Sequence, residues 1–189
     1  MKDIISNICT GLNPRNNFTL GSGNIKYVTV KNLTTKGTLD FTNCDTIDEA
    51  ARTIIHNRSD IQTGDILFAS IAPLGRCYLI QSTPTDWDIN ESVFSVRPNF
   101  SVITSAYLYL YFMSDPFIKC ATSSSTGSIF KGIRINTLLD TELCVPPLFV
   151  IKQFENKLAS TLPLKAKNDE EIRLLINLRD LLLPMLMNG

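Results

Sequence analysis

His56 is the only histidine in the chain's 189 residues, so a serine or cysteine nucleophile relying on an imidazole base would have to use it. It stands in Ile54-Ile55-His56-Asn57-Arg58, which reads as surface or loop, and no G-x-S-x-G occurs. The five cysteines, at 9, 44, 77, 120 and 144, are widely spaced and form no C-x-x-C. With a single histidine beside them a zinc site is nearly excluded, and each thiol is expected to be a small, reduced core hydrophobe. Gly21-Ser22-Gly23 is too short for a dinucleotide fingerprint, and there is no G-x-x-x-x-G-K-[ST]. Glu155-Asn156-Lys157 has the E-x-K spacing of many nucleases but falls in a helical pattern with no acidic partner on a preceding strand. Val145-Pro146-Pro147-Leu148 lacks the Asn or Asp that amino-methyltransferases place before Pro-Pro to meet a target amine. What remains is a set of cations and amides at expected strand ends and loops: Lys26, Lys31-Asn32, Lys36, Arg52, His56-Asn57-Arg58, Arg76, Lys131 and Arg134.

The overall charge gives these cations no help. Lys and Arg number 18 against 18 Asp and Glu, and residues 1–148 carry 12 against 13, so an anion-binding surface can arise only by local segregation. The 44% hydrophobic content, with 10 Phe, 5 Tyr and one Trp, places the chain among folded proteins with a real core. No apolar run reaches the roughly 18 residues of a membrane helix, and Met1 to Asn7 lacks the apolar stretch of a signal peptide. The expected location is the cytoplasm, with no membrane partner.

Positioning those cations falls to short strands. Asn24 to Val30 and Thr38 to Thr42 alternate polar with apolar or β-branched residues around the Lys36-Gly37 turn, and both read as strands. Gly64-Asp65 opens Ile66 to Ile71, and Pro73-Leu74-Gly75 turns the chain into Arg76 to Ile80, a buried hairpin. Glu91 to Arg97 alternates again until Pro98. One helix interrupts the strands, Ala106 to Met113 capped by Thr104-Ser105, with a further turn over Phe117 to Thr122. Ser123 to Ser128 reads as a loop leading into Ile129 to Ile135.

After Pro146-Pro147 the pattern becomes helical. Ile151, Phe154, Leu158 and Leu162 form one apolar stripe, and Leu174, Leu178, Leu181 and Met185 form a second, widened by Ile172, Leu175 and Leu182. Pro163 is expected to bend or break the helix, Asn168 to Glu171 to start a new one, and Pro184 to fray its last turn. The expected organisation is a domain over 1–148 and a helical region over 149–189.

Several of these segments carry a family likeness. Gly64 to Ser70 with Ala72-Pro73-Leu74-Gly75-Arg76, then Asn90 to Pro98, resembles the target-recognition domain of type I restriction-modification specificity subunits. Ser125 to Ile133, followed by Val145-Pro146-Pro147-Leu148 with Gln153-Phe154, is similar to that family's passage into its helical spacer. Leu178 to Gly189 is similar to the spacer's closing segment, and Gly11-Leu12-Asn13-Pro14 to the family's G-x-x-P opening. The chain differs in having one recognition domain and one spacer where the usual member has two of each, and it looks like a half subunit. Phe149 to Lys152 also separates Pro-Pro from Gln153 more loosely than is usual.

The resemblance implies an α+β fold, a mixed-sheet target-recognition domain followed by a long-helix, coiled-coil-like spacer. It implies a non-catalytic subunit that reads double-stranded DNA and directs partner methyltransferase and restriction subunits to a bipartite site. No cofactor is expected on this chain, S-adenosylmethionine belonging to the methyltransferase. On that reading Lys26, Lys31, Arg58, Arg76, Lys131 and Arg134 are the expected DNA contacts, with Arg134 reading a base and Gly132 letting the backbone approach the duplex. Leu174, Leu178, Leu181 and Met185 are the expected seam of a homodimer or of pairing with another half subunit. The alternatives are a protein-interaction module working through the helical stripe and a hydrolase built around His56.

Overall fold

The computed structural model describes residues 1–123 and 132–187. The chain divides into two units, Met1–Ile151 and Lys152–Gly189. In the first, β1 (Ile5–Thr10), β7 (Val93–Pro98), β4 (Ile66–Ala69) and β5 (Cys77–Leu79) lie side by side in that order, each pair antiparallel. A second sheet has the order β3 (Asp45–Ile47), β2 (Ile25–Val28), β6 (Trp87–Ile89), antiparallel across β2 and β3 but parallel across β2 and β6. The α+β class and the long C-terminal helix are as expected.

Period-two alternation sorts the first sheet's side chains onto two faces. Ile66, Phe68, Phe94 and Val96 meet α2 (Ser105–Phe112), α3 (Asp115–Ser123) and α4 (Ile135–Asp140). Phe68, Phe112 and Phe117 are fully buried there with ring centroids 5.0 to 5.8 Å apart, and burial of each stabilises by about 1.5–3 kcal/mol. Leu67, Ala69 and Val93 face the other way, against Val28, Trp87 and Ile89 of the second sheet. On that sheet's far side Ile25, Tyr27 and Ile47 are covered by Ala51 and Ile55 of α1 (Glu49–Ser59). The layers therefore run helices, sheet, sheet, helix.

The 66–71 and 76–80 hairpin forms as β4 and β5, and Thr104 caps α2 by accepting from the Tyr107 amide. Other elements differ from expectation. Residues 38–42 make no strand: Leu39 forms an isolated bridge to Leu33, the Asn32 side chain donates to the Asp40 carbonyl at 2.9 Å, and the Thr42 amide and hydroxyl both turn onto the Asp40 carboxylate. These side-chain bonds take over part of a ladder's role. The His56 segment is not a loop but lies in α1, whose N-cap Asp48 accepts from the Ala51 amide at 2.8 Å. Helices α1 and α4 are thus additional to the one interruption read from sequence.

In the second part of the chain α5 (Leu148–Leu158) is followed by α6 (Thr161–Met187). Pro163 does not break α6 because it stands in the first turn, where an amide has no intrahelical acceptor in any case. Nor do Asn168 to Glu171 start a helix; they lie inside one, where Asp169 pairs with Lys165 at 2.7 Å. No described helix is long and apolar enough to cross a membrane.

Candidate nucleic-acid interface

Antiparallel pairing gives the first sheet two distinct ends. At one lie the turn from β4 to β5, the turn from β6 to β7, and the exit of the chain from β1 and β2. Main-chain bonds tie these loops together. The Ser70 amide and hydroxyl both donate to the Ser92 carbonyl, at 3.0 and 2.7 Å, and the Asn90 amide donates to Val28 at 2.9 Å. The Ile133 amide donates to the Ser70 carbonyl at 2.8 Å, and Ile71 bridges Gly132. A Cβ on Gly132 would stand 3.1 Å from the Ser70 oxygen and 3.3 Å from the Ile71 side chain. That glycine therefore lets the chain pack closely onto the β4–β5 turn.

Three of the expected contacts gather at this end. Lys31 is exposed in a 3-10 helix, Val30–Asn32, directly after β2. Arg76 is half-buried where the turn enters β5, with Nη1 3.4 Å from the Val30 carbonyl. Arg134 is exposed just before α4, one residue beyond the Ile133–Ser70 bond. Lys36, on the Thr34–Thr38 turn, follows from Lys31, and its neighbour Gly37 lies against the Tyr109 hydroxyl of α2. The sequence pattern offered Lys36 as a cation but gave no reason to group it with Arg76. Lys131 lies outside the described residues.

Two others are elsewhere. Lys26 is the second residue of β2, its amide bonded to the Asp86 carbonyl, so it stands toward the opposite end of the second sheet. Arg58 is exposed on the last turn of α1, beyond that sheet's far face.

The opposite end carries charge of a different kind. The Arg97 guanidinium forks onto both oxygens of buried Asp65, at 2.8 and 2.9 Å, and reaches the Asp60 carboxylate at 3.0 Å and the Asp60 carbonyl. Asp65 also accepts from the Gln62 amide and the Ser95 hydroxyl. Hydrogen bonds to the Asp65 carboxylate hold the Arg97 pKa above its usual value, and bonds from Gln62 and Arg97 hold the Asp60 carboxyl below its own. This is a bolt joining the C-cap of α1 to β4 and β7.

Nucleophilic chemistry finds no support in the contacts made by His56. Its Nδ1 lies 3.1 Å from one oxygen of Asp88 and the Ser59 hydroxyl donates to the other at 2.6 Å, so both groups converge on the carboxylate and neither bond joins serine to imidazole. Asp88 is fully buried in β6, which raises its pKa, and the cluster pins α1 to the second sheet. Burial pushes the Cys44 thiol up to about 11 and raises that of fully buried Cys77, away from thiolate reactivity. Cys120 and Cys144 are exposed, contrary to the expectation of core thiols. Among the described residues no three His, Cys, Asp or Glu side chains gather to hold a metal ion.

Along α6 the expected seam is uncovered: Leu174, Leu178, Leu181 and Met185 are each 50 to 66% exposed. Ile172, Leu175 and Leu182 beside them are exposed as well.

No protein-family model matches the chain, and no curated protein does. Among solved structures it is similar to the S subunit of a type I restriction-modification system from M. genitalium, at 12% identity and a TM-score of 0.60, over 95% of this chain and 41% of that one. It is also similar to the HsdS subunit from Thermoanaerobacter tengcongensis, at 16% identity and a TM-score of 0.58, over 98% of this chain and 46% of that one. The chain thus spans less than half the length of either. Two sheets, the helices on their outer faces and the long C-terminal helix together give it the fold of type I restriction-modification S subunits.

Proposed function

We propose that the chain acts as a non-catalytic specificity subunit that reads double-stranded DNA through its first unit and joins methyltransferase and restriction subunits in a type I restriction-modification complex. The observation that carries this reading is a fold shared with S subunits over nearly the whole chain despite 12 to 16% identity. The gathering of Lys31, Lys36, Arg76 and Arg134 at one loop-rich end of a near-neutral protein supports it, since DNA readers need cations on phosphate and guanidinium or amide groups on base edges. S-adenosylmethionine belongs to the methyltransferase in this scheme, and the assembly works in the cytoplasm.

Reading a bipartite site takes two recognition units, which pairing with a second copy or another half subunit would bring together, and two-fold pairing of identical chains would select an interrupted palindrome. The exposed apolar stripe of α6 is the surface offered for that pairing. Light scattering of the chain alone and with methyltransferase and DNA tests it: a dimer that Leu178→Asp abolishes is expected, and a persistent monomer of 21.1 kDa defeats it.

The deciding experiment is co-expression with a type I methyltransferase subunit and mapping of methylated bases in the host genome. A single interrupted motif, lost with this chain, is expected. The same exposed stripe favours one rival, a protein-interaction module without DNA binding. Co-purification with a partner and no shift of any duplex would establish that rival instead.

A further inference from the structure

We propose that Arg76 is a phosphate clamp whose guanidinium closes on the DNA backbone irrespective of base sequence. The inference rests on the DNA-reading function proposed above and assigns one residue its part in it. The Arg76 carbonyl accepts from the Ala69 amide at 3.0 Å, so its backbone is fixed in the hairpin. Alternation along β5 puts it on the same face as Tyr78, toward the core between the two sheets, while Cys77 faces the helices. Gly75 before it lies against Ile118 of α3. The stem is thereby held, and the side chain is half-buried.

Its donors are poorly matched in this position. The Nε–H is shut off from solvent and meets no acceptor among the described residues, and Nη1 has only the 3.4 Å contact to Val30. A buried donor without an acceptor is costly, and such a group in a folded protein calls for a reason. Arg97 shows what a satisfied guanidinium looks like in this molecule. Arg52 shares the orphaned Nε but is anchored through Nη2, 2.9 Å from the Pro84 carbonyl. Arg76 lacks such an anchor and sits at the cationic end.

Depth decides between phosphate and base. Base edges lie about 8.5 Å down the major groove, beyond a guanidinium whose stem is packed at the mouth of two sheets, whereas phosphates stand at the surface of the duplex. With Nε sealed inside, it is the two Nη groups that match two phosphate oxygens, and the Val30 carbonyl is the resting partner of Nη1 until they arrive. Lys31, next to Val30, is placed for an adjoining phosphate.

Binding of a short random-sequence duplex, titrated in KCl, tests the clamp in the full-length chain. Arg76→Ala is expected to weaken binding about tenfold or more and to make the salt slope shallower by about 0.9, one phosphate's share. Arg76→Lys is expected to keep the slope and recover part of the affinity. Arg76→Met is expected to unfold at the wild-type temperature or above, because it removes an orphaned donor and keeps the stem. If Arg76→Ala binds random duplex with wild-type affinity and slope, the clamp is refuted and the DNA reading stands; a wild-type chain that shifts no duplex refutes both. Lower unfolding temperatures for Arg76→Ala and Arg76→Met with unchanged binding would make Arg76 a structural strut, and a changed preference among duplexes at unchanged slope would make it a base reader.

Discussion

The two ends of the paired sheets use arginine in opposite ways. Arg97 is surrounded by acceptors, with both oxygens of Asp65 and two of Asp60 taking its donors. Arg76, at the other end, has one long contact and an orphaned Nε. The first arrangement commits four of five N–H donors to the fold, and the second leaves its Nη groups with a single long contact inside it. A buried ion pair is costly to break because the surviving charge has nowhere to go, while a loosely held cation is costly only to binding.

The largest expected effect is at the bolt. Arg97→Ala leaves the Asp65 carboxylate buried and unpaired, and should destabilise by about 3–5 kcal/mol in denaturant unfolding. A change under about 1 kcal/mol would dissolve the contrast between the ends.

Next comes a backbone contact at the cationic end. A Cβ on Gly11 would stand 1.6 Å from the Ile89 carbonyl oxygen, so Gly11→Ala should destabilise by about 1–3 kcal/mol and disturb the neighbouring Asn90 turn, to which Gly11 donates at 3.1 Å. Unfolding midpoints report the first effect, and amide exchange at Asn90 the second.

Smaller still is the pH response of the pin between α1 and β6. Burial raises the folded-state pKa of Asp88, so its contribution is complete below the ordinary value of about 3.9 and declines as pH rises through the raised one. Asp88→Asn should therefore gain stability relative to wild type as pH climbs from about 4, followed by urea melts at successive pH values; a difference that does not vary with pH would count against it. Asp60 runs the other way: its depressed folded-state pKa contributes stability that is lost as pH falls through that value.

The smallest effect on folding is expected at Lys31, exposed and outside the bolt. Lys31→Ala should leave the unfolding midpoint within about 0.5 kcal/mol of wild type while weakening duplex binding and reducing its salt slope by about 0.9. An unchanged slope would remove Lys31 from the interface.

How far the sequence could be read depended on where each signal was stored. Turn chemistry at Gly64-Asp65 and Pro73-Leu74-Gly75, with the apolar alternation between, identifies β4 and β5 because those determinants are local. Thr104 marks α2 for the same reason. Helix α1 was missed because Ala51 and Ile55 are its only buried apolar side chains and Ile54 is 48% exposed, leaving a weak period; the Asp48 cap was the available clue. The false strand at 38–42 has the right alternation, but Asn32 and Thr42 bind its backbone and side chains locally. Arg76 and Arg134 could be named as cations from sequence. That they share an end with Lys31, while Lys26 and Arg58 do not, follows from the β2–β6 pairing and the Ile133–Ser70 bond, which no local pattern encodes.

That parallel pair also bears on how such chains can be shuffled. Lys26 lies beside Trp87 and Val28 beside Ile89, yet β4 and β5, which belong to the other sheet, come between them in the chain. During synthesis the second sheet cannot close until β6 has emerged up to Ile89, nor the first until β7 has emerged up to Pro98, so early intermediates must leave β2 without one of its neighbours. A recombination joint anywhere from Ile25 to Pro98 would ask strands of two parents to match in register and packing at once. Exchange should be tolerated best where contacts are local, as in helix α6, whose backbone bonds close within four residues, and least within the interleaved sheets.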